Sequence, residues 1–143
     1  MQEALIDAGP LVAYYDKGDK WHLTAQSFLE SYTGRLITTE PVATEVNWHL
    51  ARDWRVQNEF LRDLATGIFE VSALEPTDFN HIAELNEKYK DLPGDFADLS
   101  VVALSKRLQI LQIVSLDADF DVYRAYGNKK YVQLFPKYKH GAK

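Results

Sequence analysis

The chain contains no cysteine, which rules out disulfides, thiolate metal sites and cysteine nucleophiles before any pattern is read. A reducing cytoplasm is the expected home. Met1-Gln2-Glu3 runs directly into Ala4-Leu5-Ile6, without the basic segment and extended apolar stretch of a secretory signal. Long hydrophobic runs are missing too. The most apolar stretch, Leu99 to Leu104, is interrupted by Ser100 and falls far short of the ~18 residues a membrane span needs, so no membrane association is expected. His22, His49, His81 and His140 show no paired metal spacing, which removes a histidine-ligated zinc site.

What remains is a folding composition. With 46% hydrophobic and 26% charged residues the chain is too apolar to be disordered, and 143 residues suit one core. The net charge of −5 is distributed unevenly: residues 128–143 hold five lysines (Lys129, Lys130, Lys137, Lys139 and Lys143) and no acid, so the rest of the chain carries −10. An acidic body argues against a nucleic-acid ligand only if its acids stay uncompensated. Acids that converge on a divalent cation would be partly neutralised and could then admit a phosphate.

Apolar runs and turn formers give an order of elements. Ala4-Leu5-Ile6 reads as a buried strand ending at Asp7, with Gly9-Pro10 as a turn. A helix is expected from His22 to Tyr32, a strand over Leu36–Thr39, and a helix from Val42 to about Asp53 with Val42, Val46 and Leu50 on one face and Glu45 beside that stripe. Further helices are expected at Gln57–Ala65 and Asp78–Tyr89, around a weak strand Phe69–Val71. Asp95 is a good N-cap for a helix that is apolar around most of its circumference through Val101, Val102, Ala103, Leu104 and Leu108. Ile113–Leu116 reads as a buried strand ending at Asp117, and Tyr131–Leu134 as the last strand. Strands alternating with helices imply right-handed crossovers and a mainly parallel sheet covered on both faces. The expected fold is therefore one three-layer α/β/α domain over residues 1–143, with a basic tail from about residue 136.

Taken singly, each acid has a local explanation. Asp7 and Asp117 can bond their own turns, Asp95 can cap its helix, and Glu45 can reach solvent. Asp98 is harder to explain locally, because it shares a face with Val101, Val102 and Ser105 on a buried helix. Together, two acids at strand ends and two at core-facing helix positions can meet at one edge of a parallel sheet, where such folds bind ligands. Carboxylates ~4 Å apart repel by about 4 kcal/mol at an effective dielectric of 20, so the cluster calls for a cation. Ligation by oxygen alone selects Mg²⁺ or Mn²⁺.

Four blocks in order carry a resemblance: Leu5-Ile6-Asp7-Ala8-Gly9-Pro10-Leu11-Val12-Ala13, Thr38-Thr39-Glu40-Pro41-Val42-Ala43-Thr44-Glu45-Val46, Asp95-Phe96-Ala97-Asp98-Leu99-Ser100-Val101-Val102-Ala103-Leu104 and Ser115-Leu116-Asp117-Ala118-Asp119-Phe120. Over essentially its whole length the chain resembles the PIN-domain ribonucleases, and among them the VapC-type toxins of toxin-antitoxin pairs. The resemblance implies a metal-dependent endoribonuclease in which Asp7, Glu45, Asp98 and Asp117 form the catalytic, metal-holding quartet. Asp95 and Asp119 are supporting acids in that picture, and Ser115 is a polar neighbour. It further implies hydrolysis leaving a 5′-phosphate and a 3′-hydroxyl, an RNA substrate, a cognate antitoxin protein and a homodimer. Two positions depart from the family pattern: Ala8 stands where many relatives have threonine or serine, and Leu99 where many have alanine. Neither removes a carboxylate, but Ala8 removes a hydroxyl that could orient water.

Two other readings compete. A catalytically silent RNA-binding or regulatory PIN-like module would lack the quartet that this chain retains. An aspartate-dependent phosphatase would want a second aspartate two residues after Asp7, where Gly9 stands. The tail lysines, with Tyr131, Phe135 and Tyr138, can hold an RNA backbone or simply be solvated. Trp21, Trp48 and Trp54 are expected in the core or at a dimer interface.

Overall fold

The computed structural model describes residues 2–92 and 94–136, so most of the basic tail, including Lys137, Lys139 and Lys143, lies outside the described residues. Strand β1 (Gln2–Ile6) leads into helices α1 (Ala8–Tyr15) and α2 (His22–Ser31), then β2 (Gly34–Thr38), α3 (Glu40–His49), α4 (Trp54–Ala65) and β3 (Glu70–Val71). Helices α5 (Pro76–Lys88) and α6 (Phe96–Leu108) follow, then β4 (Gln112–Val114), two short 3₁₀ turns and β5 (Val132–Gln133). All strand pairs are parallel, in the order β3-β2-β1-β4-β5. Successive strand residues point to opposite faces, so the complete burial of Ala4, Leu5 and Ile6 means that both faces of β1 are covered. This is the expected three-layer α/β/α arrangement.

The sequence reading missed α1. Gly9 and Pro10 looked like a turn, yet both lie inside the first turn of a helix. Proline is tolerated there because the first N–H groups have no intrahelical acceptor. Gly9 answers to packing: a Cβ at this position would lie 3.1 Å from the Cβ of Leu116, the residue between Ser115 and Asp117 on the connection that follows β4. A bulkier residue at 9 would push the β1–α1 connection away from the segment that carries Asp117.

Other boundaries shift by a few residues. α3 starts at Glu40, with Pro41 in its first turn and the Thr39 hydroxyl accepting from the Val42 N–H at 3.3 Å. α4 begins at Trp54 because Asp53 caps it. In α6 every residue from Ala97 to Ser105 is buried, as its all-round apolar sequence predicts for a central helix. Buried Thr39 and Ser100 share a 2.7 Å hydrogen bond that ties the start of α3 to α6.

Candidate active site

The sheet order reverses between β1 and β4, and the crevice beyond their carboxyl ends is where parallel α/β sheets place ligands. Asp7 directly follows β1, and Asp117 comes three residues after β4. Asp98 enters from the first turn of α6. One carboxylate oxygen from each of Asp7, Asp98 and Asp117 lies within 4.8 Å of the others. Three acids separated by as many as 110 residues of sequence are thus neighbours.

Asp7 is 4% exposed and sits at the N-cap of α1 without making a side-chain capping bond. Oδ2 accepts the Ser115 hydroxyl at 3.2 Å, while Oδ1 is buried with no hydrogen-bond partner among the described residues. Burial pushes its pKa up to about 6, with the nearby Asp117 and Asp95 charges adding to the rise and the Ala8 N–H and Ser115 hydroxyl offsetting part of it. Ser115 is itself fully buried and also accepts the Asp117 N–H at 2.9 Å, so one hydroxyl joins both strand-end acids.

Asp98 is 7% exposed, and burial raises its pKa to about 9, followed by the Asp7 charge and a hydrogen bond with Asp117. Glu45 lies on α3 beside the buried Val42 and Val46 and is half-buried. Burial lifts it to about 7, and the charges of Asp95, Asp7 and Asp117 contribute. Glu45 therefore feels the cluster electrostatically although it is not among the three acids whose oxygens meet.

The supporting acids have mainly local roles in the geometry. Asp95 is exposed and caps α6, accepting the Asp98 N–H at 2.8 Å. Asp119 is half-buried, and its N–H donates to Asp117 Oδ1 at 2.9 Å. Of the tryptophans, Trp21 packs edge-on against Phe135, whereas Trp48 and Trp54 are 74% and 66% exposed and so are not core residues. Trp48 joins Phe79 and Phe96 around an open cavity of about 730 Å³ that shares Glu45 and Asp95 with the acidic site. Nothing in the sequence flagged Phe79 and Phe96; their pairing, with ring planes 17° apart, depends on how α5 crosses α6.

These residues fit a divalent cation. Among the described residues none of Asp7, Glu45, Asp95, Asp98, Asp117 or Asp119 has a lysine or arginine partner. Buried carboxylates without a counter-charge take up protons or a metal. The donor set is oxygen alone, which suits a hard cation, and the orphaned Asp7 Oδ1 is a free ligand atom. No helix among the described residues is long and apolar enough to cross a membrane.

Comparison with known proteins agrees with this geometry. The PIN domain family matches residues 4–126. Ribonuclease VapC26 of Mycobacterium tuberculosis is 27% identical over 133 residues, covering 91% of this chain and 98% of that protein. Among solved structures, the Mycobacterium tuberculosis VapC20 toxin, described as cleaving the sarcin-ricin loop, superimposes with a TM-score of 0.80 at 19% identity, over 94% of this chain and 100% of the other. A toxin-antitoxin complex from Klebsiella pneumoniae gives a TM-score of 0.66 at 18% identity, over 90% and 95% of the two chains. VapBC2 of Rickettsia felis, solved with a DNA fragment from its promoter, gives 0.65 at 12%, over 93% and 99%.

Proposed function

This chain belongs to the PIN domain family, and from that premise we propose that it is a cytoplasmic, metal-dependent endoribonuclease, the toxin of a VapBC-type toxin-antitoxin pair. The observation that carries the reading is the meeting of Asp7, Asp98 and Asp117 carboxylates, with no lysine or arginine partner among the described residues, at the sheet's switch point. The ribonuclease likeness of VapC26 supports RNA as the substrate.

Asp7, Asp98 and Asp117 are the residues that would hold Mg²⁺ or Mn²⁺, with Glu45 closing the site from the α3 side. When bound, such an ion supplies Lewis acidity: it neutralises phosphate charge and makes a water nucleophilic near neutral pH. The protein's part is placement. Ser115 ties the Asp7 carboxylate to the backbone N–H of Asp117. The Asp95 cap and the Thr39–Ser100 bond fix the start of α6 and of α3, and with them Asp98 and Glu45. The hydroxyl that touches these acids, Ser115, is fully buried and engaged by Asp7 and the Asp117 N–H, so direct attack by water on the phosphodiester is the chemistry this set supports.

The toxin-antitoxin complexes among the structural neighbours support a cognate antitoxin partner. A homodimer is the accompanying assembly, and the exposed aromatic side chains Trp48, Phe79 and Phe96 give it an apolar surface to cover. The test is cleavage of structured and single-stranded RNAs by identically purified wild type and Asp7→Asn, with Mg²⁺, Mn²⁺ or EDTA. Metal-dependent cutting that disappears in the variant is expected. Binding without cutting by the wild type would replace the enzyme with a silent RNA-binding module.

A further inference from the structure

A second concavity, of about 290 Å³, opens between α5, the second half of α6 and the turn at residues 124–128. Its character is opposite to that of the acidic site. Lys88, Lys106 and Arg124 line it together with His81, and Glu84 is the one acid in its wall. Among the described residues none of the three cations has a carboxylate partner. In a chain of net charge −5, three uncompensated cations around one cleft need a reason.

The cleft is also built. Arg124 Nη1 donates to the carbonyls of Asp121, Val122 and Tyr123 at 2.9–3.2 Å, which fixes the guanidinium and leaves Nε and Nη2 without partners among the described residues. The Arg124 N–H donates to the Tyr89 hydroxyl at 3.1 Å, anchoring the turn to the end of α5. His81 Nδ1 is buried without a hydrogen bond, the Glu84 carboxylate lying 3.6 Å away. Burial, and after it the Lys106 charge, holds the imidazole below its ordinary pKa, as a positive local field requires.

We propose that this cleft binds the phosphate backbone of the same RNA strand that enters the carboxylate site. The inference rests on the nuclease reading and adds to it the surface that captures substrate. Asp98, Val102 and Lys106 follow one another at four-residue intervals along α6, so Lys106 lies about 12 Å of helix rise beyond Asp98. The opposite wall, Arg124 to Asn128, comes shortly after Asp117 in the chain. The α6 wall and the 124–128 turn thus extend segments that carry site acids, α5 adds Lys88 as the third wall, and a strand of a few nucleotides spans the separation. The arrangement explains how an acidic protein can retain a polyanion: the cations are concentrated where the phosphates beside the scissile one would run. Lysines supply point charges and the free edge of Arg124 a directional contact, a combination suited to phosphate oxygens without base selectivity.

The experiment is an equilibrium titration of fluorescently labelled single-stranded RNA with full-length protein in EDTA, repeated over a range of salt concentrations. Wild type is compared with Lys88→Gln/Lys106→Gln and with the charge-matched Lys17→Gln/Lys20→Gln. Both substituted lysines of the cleft are exposed, so the fold should persist; should the double variant fail to fold, Lys106→Gln alone reads half the effect. The expected result is weaker binding by the cleft variant, with its log K against log salt slope shallower by about 1.4, about 0.7 per lost phosphate contact on a single strand. The control variant should keep the wild-type slope. An unchanged slope in the cleft variant, while wild type binds and cuts RNA, overturns the cleft and leaves the nuclease reading intact. Unchanged RNA binding together with lost binding of poly-glutamate would also overturn it, in favour of an acidic protein partner. Wild type that neither binds nor cuts any RNA in the metal-supplemented assay removes both readings.

Discussion

Ser115 donates its hydroxyl to Asp7 Oδ2 at 3.2 Å, linking the ends of the adjacent strands β1 and β4. The same oxygen takes the Asp117 N–H. A buried hydroxyl with both bonds made is a positioning device: it orients one carboxylate and sets the backbone that presents another. Ser115→Ala should therefore weaken metal affinity or cleavage by about 10- to 100-fold, the usual effect of losing an outer partner of a ligand. The Asp7 pKa should rise further, since the Ser115 bond lowers it. Cleavage rate titrated with Mn²⁺ checks this: the variant should need more metal and recover at saturation, and an unchanged metal dependence would reduce Ser115 to a packing role.

Asp98→Asn tests whether the cluster is self-repelling without metal. The buried Asp98 carboxyl faces the Asp7 charge and shares a hydrogen bond with Asp117. An amide of the same shape can donate to either neighbour and carries no charge. In EDTA near neutral pH the variant should melt at the wild-type temperature or about 4 °C higher, a gain on the order of 1 kcal/mol. Cleavage should fall to the level of the EDTA control. A clearly lower melting temperature for the metal-free variant would make Asp98 a structural aspartate.

The same charges set a pH dependence. Asp7, Glu45 and Asp98 hold protons in the folded protein up to about 6, 7 and 9, against ordinary values of 3.8, 4.5 and 3.8. Across that window the folded state binds more protons than the unfolded chain, so stability is greatest below the ordinary values and is lost as pH rises through the folded ones. His81 acts in the opposite sense, because its lowered pKa makes its contribution disappear as pH falls. With three carboxyls against one imidazole, the metal-free protein should melt at a lower temperature at pH 8.5 than at pH 5.5. Saturating Mn²⁺ should shrink the difference by stabilising the ionised cluster. Thermal melts in EDTA and in Mn²⁺ across this range decide it, and a metal-free stability that rises with pH would contradict the cluster's electrostatics.

The convergence of Asp7, Asp98 and Asp117 was legible because each sits where periodicity alone places it: two after short buried strands, one on a helix apolar all round. The parallel three-layer fold followed from the same alternation. α1 was not legible, because Gly9-Pro10 has the composition of a turn and only the approach of Leu116 reveals why glycine is there. Trp48 and Trp54 read as core or dimer-interface residues by type, and that they lie outside the core depends on what a helix leaves uncovered, which a single sequence does not encode. The cationic cleft was invisible for a related reason: Lys88, Lys106 and Arg124 belong to three separate segments, and the tail lysines drew attention by being contiguous.

Tyr123 is fully buried, and its hydroxyl has no hydrogen-bond partner among the described residues. It lies directly beneath Gly94, where an added Cβ would collide with that hydroxyl, while the next neighbours, Tyr123 Cζ and Leu99 Cδ2, stand at 3.2 and 3.4 Å. Gly94→Ala should therefore cost about 1–3 kcal/mol by overpacking. Tyr123→Phe should be neutral or stabilising, since it deletes a buried polar atom that gains nothing from the fold. Because one oxygen causes the clash, the double variant should recover most of the loss, a coupling on the order of 1 kcal/mol between residues in contact. Gly94 also precedes Asp95, whose carboxylate caps α6 and sets the turn bearing Asp98, so cleavage should fall in Gly94→Ala and return in the double variant along with stability. Thermal melts and cleavage rates of the four proteins measure both couplings. Additive losses would mean that Gly94 is needed for its backbone rather than for the space above Tyr123.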